Sequence, residues 1–214
     1  MKVGIYSGMG ASSRFVEALV KALAPHPVTL LNARALLFAD WPTHIDVLAM
    51  PGGRDLPYVR DLHGKGTQRI RAFVEGGGRY LGICAGAYFG SREVVFEPGG
   101  PLQVLGHREL SLYEGKAVGP AYGLGAFDYR SERGARLAQV GSAQVYFNGG
   151  PAFPEAKGEE VLARYDDLPD KPPAILRCPV EKGVAILAGV HIECPVSDDT
   201  ARRALWDQTL HALR

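Results

Sequence analysis

The sequence contains little cysteine and no long apolar segment. Its three cysteines, Cys84, Cys178 and Cys194, are too few and too scattered over 214 residues to predict a disulfide framework, and they fit a reducing compartment. No apolar run approaches the length that spans a bilayer, and the opening stretch MKVGIYSGMG turns polar too soon for a signal peptide. These absences predict a cytoplasmic protein with no membrane partner.

A strong net charge of either sign is also missing. Lys and Arg number 24 against 23 Asp and Glu, and they are scattered, so the basic face of a nucleic-acid-binding protein is not expected. The expected partner is a small-molecule substrate or another protein. Because no Pro- or Ser-rich linker divides the chain, residues 1–214 are predicted to form a single domain.

Strand-like and helix-like segments alternate over roughly the first 90 residues. Strands are predicted for KVGIY, VTLL, IDVLAM and RYLGI, and helices for SSRFVEALVKAL and TQRIRAFVEGGG. The first helix follows a serine suited to capping, and its predicted buried face consists of Phe15, Val16, Leu19, Val20 and Leu23. The alternation predicts an α/β fold with a mostly parallel sheet and helices on both faces.

The middle of the chain has a different pattern. From Glu93 to about Tyr165, Gly and Pro separate short runs that predict hairpins decorating the sheet, namely EVVF, RELSLY, AQVYF and VLARY. After this insertion, GVAILAGVHIE predicts a long apolar strand. The segment DDTARRALWDQTLHALR predicts a terminal helix that buries Leu205, Trp206, Leu210 and Leu213.

A cysteine lies between two glycines directly after the predicted strand RYLGI. The pentapeptide GICAG, centred on Cys84, has the spacing of a nucleophile elbow, in which small neighbours allow a sharp turn from strand to helix. The helix N-terminus that follows favours the thiolate over the thiol. A buried thiol in a tight turn fits the same five residues, so the pentapeptide leaves both interpretations open.

A nucleophilic cysteine needs a base, and the base needs an orienting group. Of the six histidines, His191 lies at the end of the long apolar strand with Glu193 two residues later, whereas His107 is predicted in a hairpin. In an extended chain, residues i and i+2 point to the same side, so Glu193 is expected to orient the His191 imidazole. A solvated strand end is the alternative.

Two further glycines follow the third predicted strand in MPGGRDLP. The N–H of Gly53 is predicted to form an oxyanion hole with the N–H of Ala85, and the adjacent Gly52 and Arg54 are predicted to contact the substrate. A plain turn explains the glycine pair equally well.

Two other motifs are weaker. SGMGASS resembles an anion-binding loop but matches neither the dinucleotide fingerprint nor a P-loop, and a local turn explains it without a ligand. Cys194 follows His191 by three residues, but with Cys178 it fits no common zinc spacing. The sequence therefore predicts no metal and no cofactor.

The motifs PGG, GICAG and HIE, in this order, resemble those of the class I glutamine amidotransferase superfamily. Longer blocks resemble the N-terminal domain of the eukaryotic biotin-protein ligases and its stand-alone bacterial relatives, from the first strand to His191 and Glu193. These blocks are MPGGRDLPY, GICAGAYFGS, PLQVLGHRELSLYEGKAVGPAYG, FDYRSERGARLA and VYFNGGPAF. The resemblance implies a flavodoxin-like sheet with a β-hairpin-rich insertion.

The resemblance also implies roles for single residues. Cys84 corresponds to the nucleophile, His191 to the general base and Glu193 to its orienting partner. Tyr88 occupies the position where glutamine-using members usually carry Gln or His, which favours a different acyl or amide substrate unless Tyr88 is simply a core residue. Tyr146, in VYFNGG, is predicted to line the mouth of the pocket.

Three functions are consistent with these residues. The leading hypothesis is an amidotransferase-like cysteine hydrolase or acyl-transfer domain with an unidentified amide or ester substrate and a possible protein partner that accepts ammonia or an acyl group. The alternative is a non-catalytic ligand-binding or regulatory module. The third is a redox or aldehyde-handling thiol of the PfpI type, against which the HIE pair counts.

Overall fold

The strands and helices follow the apolar runs of the sequence, and a computed structural model describes them for residues 1–128 and 131–214. The strands are β1 (Val3–Tyr6), β2 (Val28–Leu31), β3 (Val47–Met50), β4 (Arg79–Ile83), β5 (Ser91–Phe96), β6 (Val104–His107), β7 (Tyr113–Gly119), β8 (Arg136–Val140), β9 (Ala143–Phe147), β10 (Glu160–Arg164), β11 (Pro173–Val180) and β12 (Gly183–Ala188). The helices are α1 (Ser13–Ala22), α2 (Ala33–Phe38), α3 (Asp55–Leu62), α4 (Lys65–Glu75), α5 (Ala85–Gly90) and α6 (Thr200–Ala212). Tyr129 and Arg130, in the block FDYRSERGARLA, lie outside the described residues.

The central sheet has seven strands in the order β10-β11-β12-β4-β3-β1-β2. The five strands from β12 to β2 are parallel, and β11 and β10 extend the sheet with antiparallel pairing. This order confirms the predicted flavodoxin-like, mostly parallel sheet. Because β3, β4 and β12 are neighbours, the motifs PGG, GICAG and HIE all follow the carboxyl ends of adjacent strands.

Helices cover both faces of the sheet, as predicted. Residues of α2, α3, α4 and α5 contribute to the core on one face, and residues of α1 and α6 to the core on the other. On α1, four of the five predicted core residues are buried, but Val20 is 39% exposed. The reason is geometric, since Val20 lies at the margin of the apolar stripe of the helix.

The terminal helix α6 begins after Asp199, in agreement with its acidic start. Leu205, Trp206 and Leu213 are buried, and Leu210 is half-buried. The Trp206 indole N–H donates to the carbonyl of Ala22 at 3.0 Å, which joins α6 to the end of α1. None of the helices within the described ranges is long and apolar enough to cross a membrane.

The insertion contains a three-stranded sheet in the order β6-β5-β7 and the hairpin β8–β9. One of its predicted strands is wrong, and another forms as predicted but lies in the central sheet. RELSLY does not form a strand, because the Arg108 side chain turns inward to pair with Asp55 and Ser111 has a φ of +43°. VLARY corresponds to β10, which pairs with β11 as an edge strand of the central sheet instead of decorating it.

Candidate active site

The elbow of Cys84 joins β4 to α5 at the carboxyl edge of the sheet. Cys84 has a φ of +50° and a ψ of −102°, a strained conformation for a residue with a side chain. Its neighbours must be glycine: a Cβ atom at Gly86 would lie 2.1 Å from the Met50 carbonyl oxygen, and one at Gly82 would lie 2.5 Å from the Gly86 carbonyl oxygen. The predicted sharp turn is therefore present.

His191 and Glu193 do not continue strand β12, as the sequence analysis expected. The strand ends at Ala188, and residues 191–194 form a turn. The expected pairing nevertheless occurs, since His191 Nδ1 lies 2.8 Å from Glu193 Oε1 and both side chains are completely buried. The His191 N–H donates to the Tyr146 carbonyl at 2.8 Å, which anchors the turn to β9.

The imidazole of His191 is enclosed by aromatic rings. Phe15 stacks on it with ring centroids 3.7 Å apart, and the centroid of Tyr146 lies 5.7 Å away. Burial alone would lower the pKa of His191, but the charge of the Glu193 carboxylate and its hydrogen bond with the ring outweigh this effect and raise the pKa well above its ordinary value. Glu193 therefore stabilises the charged imidazolium that forms when the ring takes up a proton.

The hydrogen bond of the Cys84 thiol determines which polar atoms of the site are left without a partner. Its Sγ donates to the Asn148 carbonyl at 3.7 Å. Among the buried side-chain atoms of residues 1–128 and 131–214, His191 Nε2 and Glu193 Oε2 have no hydrogen-bond partner by distance and angle. Cys84 lies close enough to influence the pKa of His191, yet its thiol hydrogen bond is directed at Asn148. His191 Nε2 is thus the ring nitrogen that Glu193 leaves unengaged.

Gly53 and Ala85, the predicted oxyanion donors, line the same small cavity as Cys84. Gly53 has a φ of +142° and pairs with Ala11 through hydrogen bonds that its neighbours make. These bonds run from Arg54 N–H to Gly10 O and from Ser12 N–H to Gly52 O, so the Gly53 N–H points away from Ala11. The loop SGMGASS thus pairs with the glycine loop through its own backbone.

Gly52 lies directly against the base and has no room for a side chain. A Cβ atom at this position would lie 2.4 Å from His191 Cε1. The structure therefore places Gly52 under the imidazole. The second predicted binding residue of this loop, Arg54, is exposed at the rim of the cavity that Gly53 lines.

Cys84 lies between two cavities. The inner cavity has a volume of about 40 Å³ and walls that are mostly apolar, formed by Tyr88, Val94, Phe96, Val104 and Phe127 together with the loop residues. The outer cleft is larger, about 350 Å³, and polar, lined by Ser12, Arg14, Asp128, Ser131 and Glu132. Cys84, Gly53, Phe127 and Asn148 line both.

The two predicted tyrosines have different surroundings. Tyr88 is buried in the wall of the inner cavity, and its hydroxyl donates to the Gly149 carbonyl at 3.0 Å. Tyr146 lines neither the inner cavity nor the outer cleft among the described residues, and lies instead in a neighbouring cleft beside Cys194. Its ring contacts His191, so it is nearer to the base than to the predicted mouth of the pocket.

Arg14, Glu132 and Tyr146 form a front cluster over the outer side of the site. Arg14 Nη1 lies 2.5 Å from Glu132 Oε1, and the Tyr146 hydroxyl donates to Glu132 Oε2 at 2.6 Å. Burial and the hydrogen bond to Glu132 raise the pKa of Tyr146 to about 12, while the same bond lowers the pKa of Glu132. The cluster is exposed to solvent, with Arg14 at 53% and Glu132 at 64%.

The structure separates the other two cysteines. Cys178 lies in β11, in the core of the opposite face from Cys84. Cys194, by contrast, presents its sulfur within 4.8 Å of ligand atoms of His191 and Glu193, a group of the kind that can bind a metal ion. Burial raises the pKa of the Cys194 thiol, followed by the charge of Glu193, so this sulfur is held in its protonated form.

Sequence reasoning missed several residues of the site. Phe15 was expected only in the core, Asn148 contributes through its backbone carbonyl, and Phe127 lines both cavities. The buried ion pair of Asp55 and Arg108, with Nη2 2.7 Å from Oδ2, supports the wall of the inner cavity. Two of them, Asn148 and Asp55, lie in the conspicuous segments VYFNGG and RDLP, which was the signal that could have found them.

Comparisons with known proteins agree along nearly the whole chain. The family model "Biotin-protein ligase, N terminal" matches residues 1–212. An uncharacterized protein of Chlamydia muridarum is 40% identical over 209 residues, covering 90% of this chain and 80% of that protein. The biotin-protein ligase of Schizosaccharomyces pombe is 37% identical over 212 residues, covering 90% of this chain and 33% of the ligase. The chain thus spans about a third of that ligase.

Solved structures show the same fold at lower identity. A glutamine amidotransferase aligns over 99% of this chain and 98% of its own, with a TM-score of 0.65 and 23% identity. PurLQS from Thermotoga maritima aligns over 100% of this chain and 99% of its own, with a TM-score of 0.68 and 13% identity. These likenesses concern the fold.

Proposed function

This chain belongs to the family of biotin-protein ligase N-terminal domains and has a glutamine amidotransferase-like fold, and we propose that it is a cysteine-dependent hydrolase or acyl-transfer domain. The observation that carries the proposal is the buried His191–Glu193 pair, with 2.8 Å between Nδ1 and Oε1, next to a cysteine on a strained elbow. A histidine whose second nitrogen faces a thiol is equipped to activate it.

The first half of the reaction forms a thioester. His191 Nε2 accepts the thiol proton of Cys84, and the thiolate attacks the carbonyl carbon of an amide or ester. The N–H groups of Gly53 and Ala85 stabilise the oxyanion that develops. As the tetrahedral intermediate collapses, the bond to the leaving amine or alcohol breaks, and the leaving group takes the proton from His191.

The second half releases the acyl group. A water molecule, or an acceptor supplied by a partner protein, attacks the thioester while His191 removes its proton, and the proton returns to the Cys84 sulfur. Glu193 holds the imidazole in one tautomer and stabilises its charged form in both halves. The residue roles rest on proximity: Cys84, Gly53 and Ala85 line one cavity, and His191 lies against Gly52.

The substrate class follows from the inner cavity. A volume of about 40 Å³ is enough for a few atoms only, since a single water needs roughly 10–15 Å³ by this measure. The hydroxyl of Tyr88 already donates to Gly149, so it does not offer that proton to a glutamine side chain. These features favour a short acyl or amide compound other than glutamine, with its leaving group in the polar outer cleft.

The decisive experiment measures alkylation of Cys84 by iodoacetamide between about pH 5 and about pH 9, in the wild type and in His191→Asn. Mass spectrometry resolves all three cysteines, so the buried Cys178 serves as an internal control. We expect Cys84 to react well below the ordinary thiol pKa of about 8.5 in the wild type and to lose this reactivity in the variant. Equal profiles in both proteins would refute the proposal.

A second candidate function is a ligand-binding or regulatory module without turnover. The observation that favours it is the hydrogen bond from Cys84 Sγ to Asn148, which leaves His191 Nε2 unengaged among the described residues. Because a relative of this chain is a biotin-protein ligase, biotin is the first ligand to test. A thermal shift caused by biotin that persists in Cys84→Ala, together with an inert Cys84, would support binding over catalysis.

A further inference from the structure

Arg202, in the first turn of α6, reaches the turn that carries the candidate base and its partner. Its Nη1 donates to the Ile192 carbonyl, which lies between His191 and Glu193 in the chain. The Arg202 side chain is only 7% exposed. Arg202 thus holds the backbone carbonyl between two candidate site residues. Because a guanidinium is planar, it fixes both the direction and the length of this hydrogen bond.

The other nitrogens of Arg202 are occupied by one carboxylate. Nε donates to Asp199 Oδ1, and Nη2 donates to Asp199 Oδ2 at 2.8 Å. Asp199 also accepts from the Val196 N–H at 3.2 Å and from Arg203 Nε at 2.6 Å. Hydrogen bonding from Arg202, followed by that from Arg203, holds the pKa of Asp199 well below its usual range. We call Asp199, Arg202 and Arg203 the rear cluster.

The turn of residues 191–194 is therefore held at three points. At the front, the His191 N–H donates to the Tyr146 carbonyl, and within the turn the Cys194 N–H donates to the His191 carbonyl at 3.1 Å. At the rear, Arg202 holds the Ile192 carbonyl. The rear contact fixes the peptide plane from which the Glu193 side chain starts.

We propose that Arg202 is a positioning residue: by holding the Ile192 carbonyl, it sets the orientation of Glu193 toward His191. The inference rests on the proposed function, because it matters only if the His191–Glu193 pair acts on Cys84. Its effect is geometric, since the bidentate contact with Asp199 neutralises the guanidinium charge at its source.

Arg203 provides a matched control within the same cluster. It binds the same Asp199 carboxylate but is 73% exposed, and its side-chain hydrogen bonds within the described residues do not reach the turn. Lysine in place of either arginine keeps the charge but loses the planar fork, so it cannot serve Asp199 and Ile192 together. A comparison of Arg202→Lys with Arg203→Lys therefore isolates the contact with Ile192.

The first test reads His191 directly, without catalysis. The Cε1–H resonance of His191 is titrated by NMR in the Cys84→Ala variant. This variant removes the Cys84 thiol, so that the effect of Glu193 on the imidazole can be measured without it. The groups around the ring are then Glu193 and the Cys194 thiol from its own turn, Tyr146 from β9 and the uncharged Phe15 from α1. We expect Arg202→Lys to lower the midpoint by about one pH unit and Arg203→Lys to leave it unchanged.

An unchanged midpoint in Arg202→Lys would overturn the inference. If Arg202→Lys does not fold, as judged by circular dichroism, Asp199→Asn is used instead. Asp199→Asn keeps Arg202 but weakens the bidentate contact that orients its guanidinium. A lowered midpoint in Asp199→Asn supports the inference, and an unchanged one overturns it.

The second test repeats the alkylation of Cys84 with the arginine variants. We expect the neutral-pH rate to fall about tenfold in Arg202→Lys, toward the His191→Asn profile, and to stay at the wild-type value in Arg203→Lys. A rate that responds to His191→Asn but not to Arg202→Lys would refute the positioning role alone. A rate insensitive to His191→Asn would refute the proposed function, while the NMR titration still decides the role of Arg202.

Discussion

The turn of residues 191–194 lies between two clusters of the same chemistry in opposite surroundings. In the front cluster, Arg14 and Glu132 are 53% and 64% exposed, whereas in the rear cluster Arg202 and Asp199 are 7% and 16% exposed. Both clusters pair an arginine with a carboxylate at hydrogen-bonding distance. They differ in how much water competes for the charges.

This difference decides what each cluster does. An exposed pair contributes little to stability because water and salt screen it, and holding two long side chains costs entropy. Removing one partner of a buried pair lowers the free energy of unfolding strongly, because the other charge is left buried and uncompensated. The rear cluster is thus a fixed support for the His191–Glu193 pair, and the front cluster is an adjustable surface beside the outer cleft.

The largest expected difference between the clusters is in the free energy of unfolding when the carboxylate of each is removed. Asp199→Ala leaves the guanidinium of Arg202 buried without its partner, and we expect a loss of about 3 kcal/mol in the free energy of unfolding. Glu132→Ala removes an exposed carboxylate, and we expect a loss below about 1 kcal/mol. Urea denaturation measures both. Equal losses would show that the burial difference has no energetic meaning.

A smaller effect concerns the charge of the pair itself. Burial would lower the pKa of His191, but the charge of Glu193 outweighs it and leaves the pKa above its ordinary value of 6.5. A raised pKa contributes stability below the unfolded-state pKa and loses it as pH rises through the folded-state pKa. Glu193→Gln removes the charge but keeps a hydrogen-bond acceptor, so we expect it to destabilise by about 1–2 kcal/mol near pH 6 and progressively less at higher pH.

The control for this prediction is Glu17→Gln, which removes an exposed carboxylate from the outer side of α1. Its unfolding free energy should follow that of the wild type at every pH. A Glu193→Gln difference that stays constant or grows between pH 6 and alkaline pH would contradict the raised pKa of His191.

The smallest effect is expected at the front cluster. Arg14→Gln removes the contact with Glu132 and the position of the guanidinium over the Tyr146 ring, 4.6 Å from its centroid. We expect a loss of about 0.5 kcal/mol at low salt that shrinks as salt screens the charges. Thermal unfolding at two ionic strengths tests this. A salt-independent loss would mean that packing on Tyr146, not charge, carries the contact.

The sequence predicted the parallel part of the sheet because its strands are short apolar runs that end in turn-forming residues, as β3 does before PGG. It missed β11 and α3 for one reason. PAILRCPV has a proline at its start and another near its end, and DLPYVRDL has Pro57 in its first turn. Proline suggests a break to sequence reasoning, but it is tolerated at strand ends and in the first turn of a helix.

The structure brings most of the predicted site residues together, but with a geometry that the sequence did not predict. The pairing of His191 and Glu193 was inferred from strand alternation, whereas a turn produces it. Arg202 could not be found from sequence, because its partner Ile192 contributes only a backbone carbonyl, which every residue has. Contacts of this kind depend on where the last helix docks.

The adjacency of β4 and β12 has a consequence for how this protein can change over time. Cys84 and His191 follow two neighbouring strands, although about a hundred residues separate them in the chain. The walls of the inner cavity come largely from the intervening stretch, including Val94, Val104 and Phe127. The proposed catalytic residues and most of the cavity wall beside them are thus encoded in separate stretches of the gene, so the wall can diverge between relatives while those residues are kept.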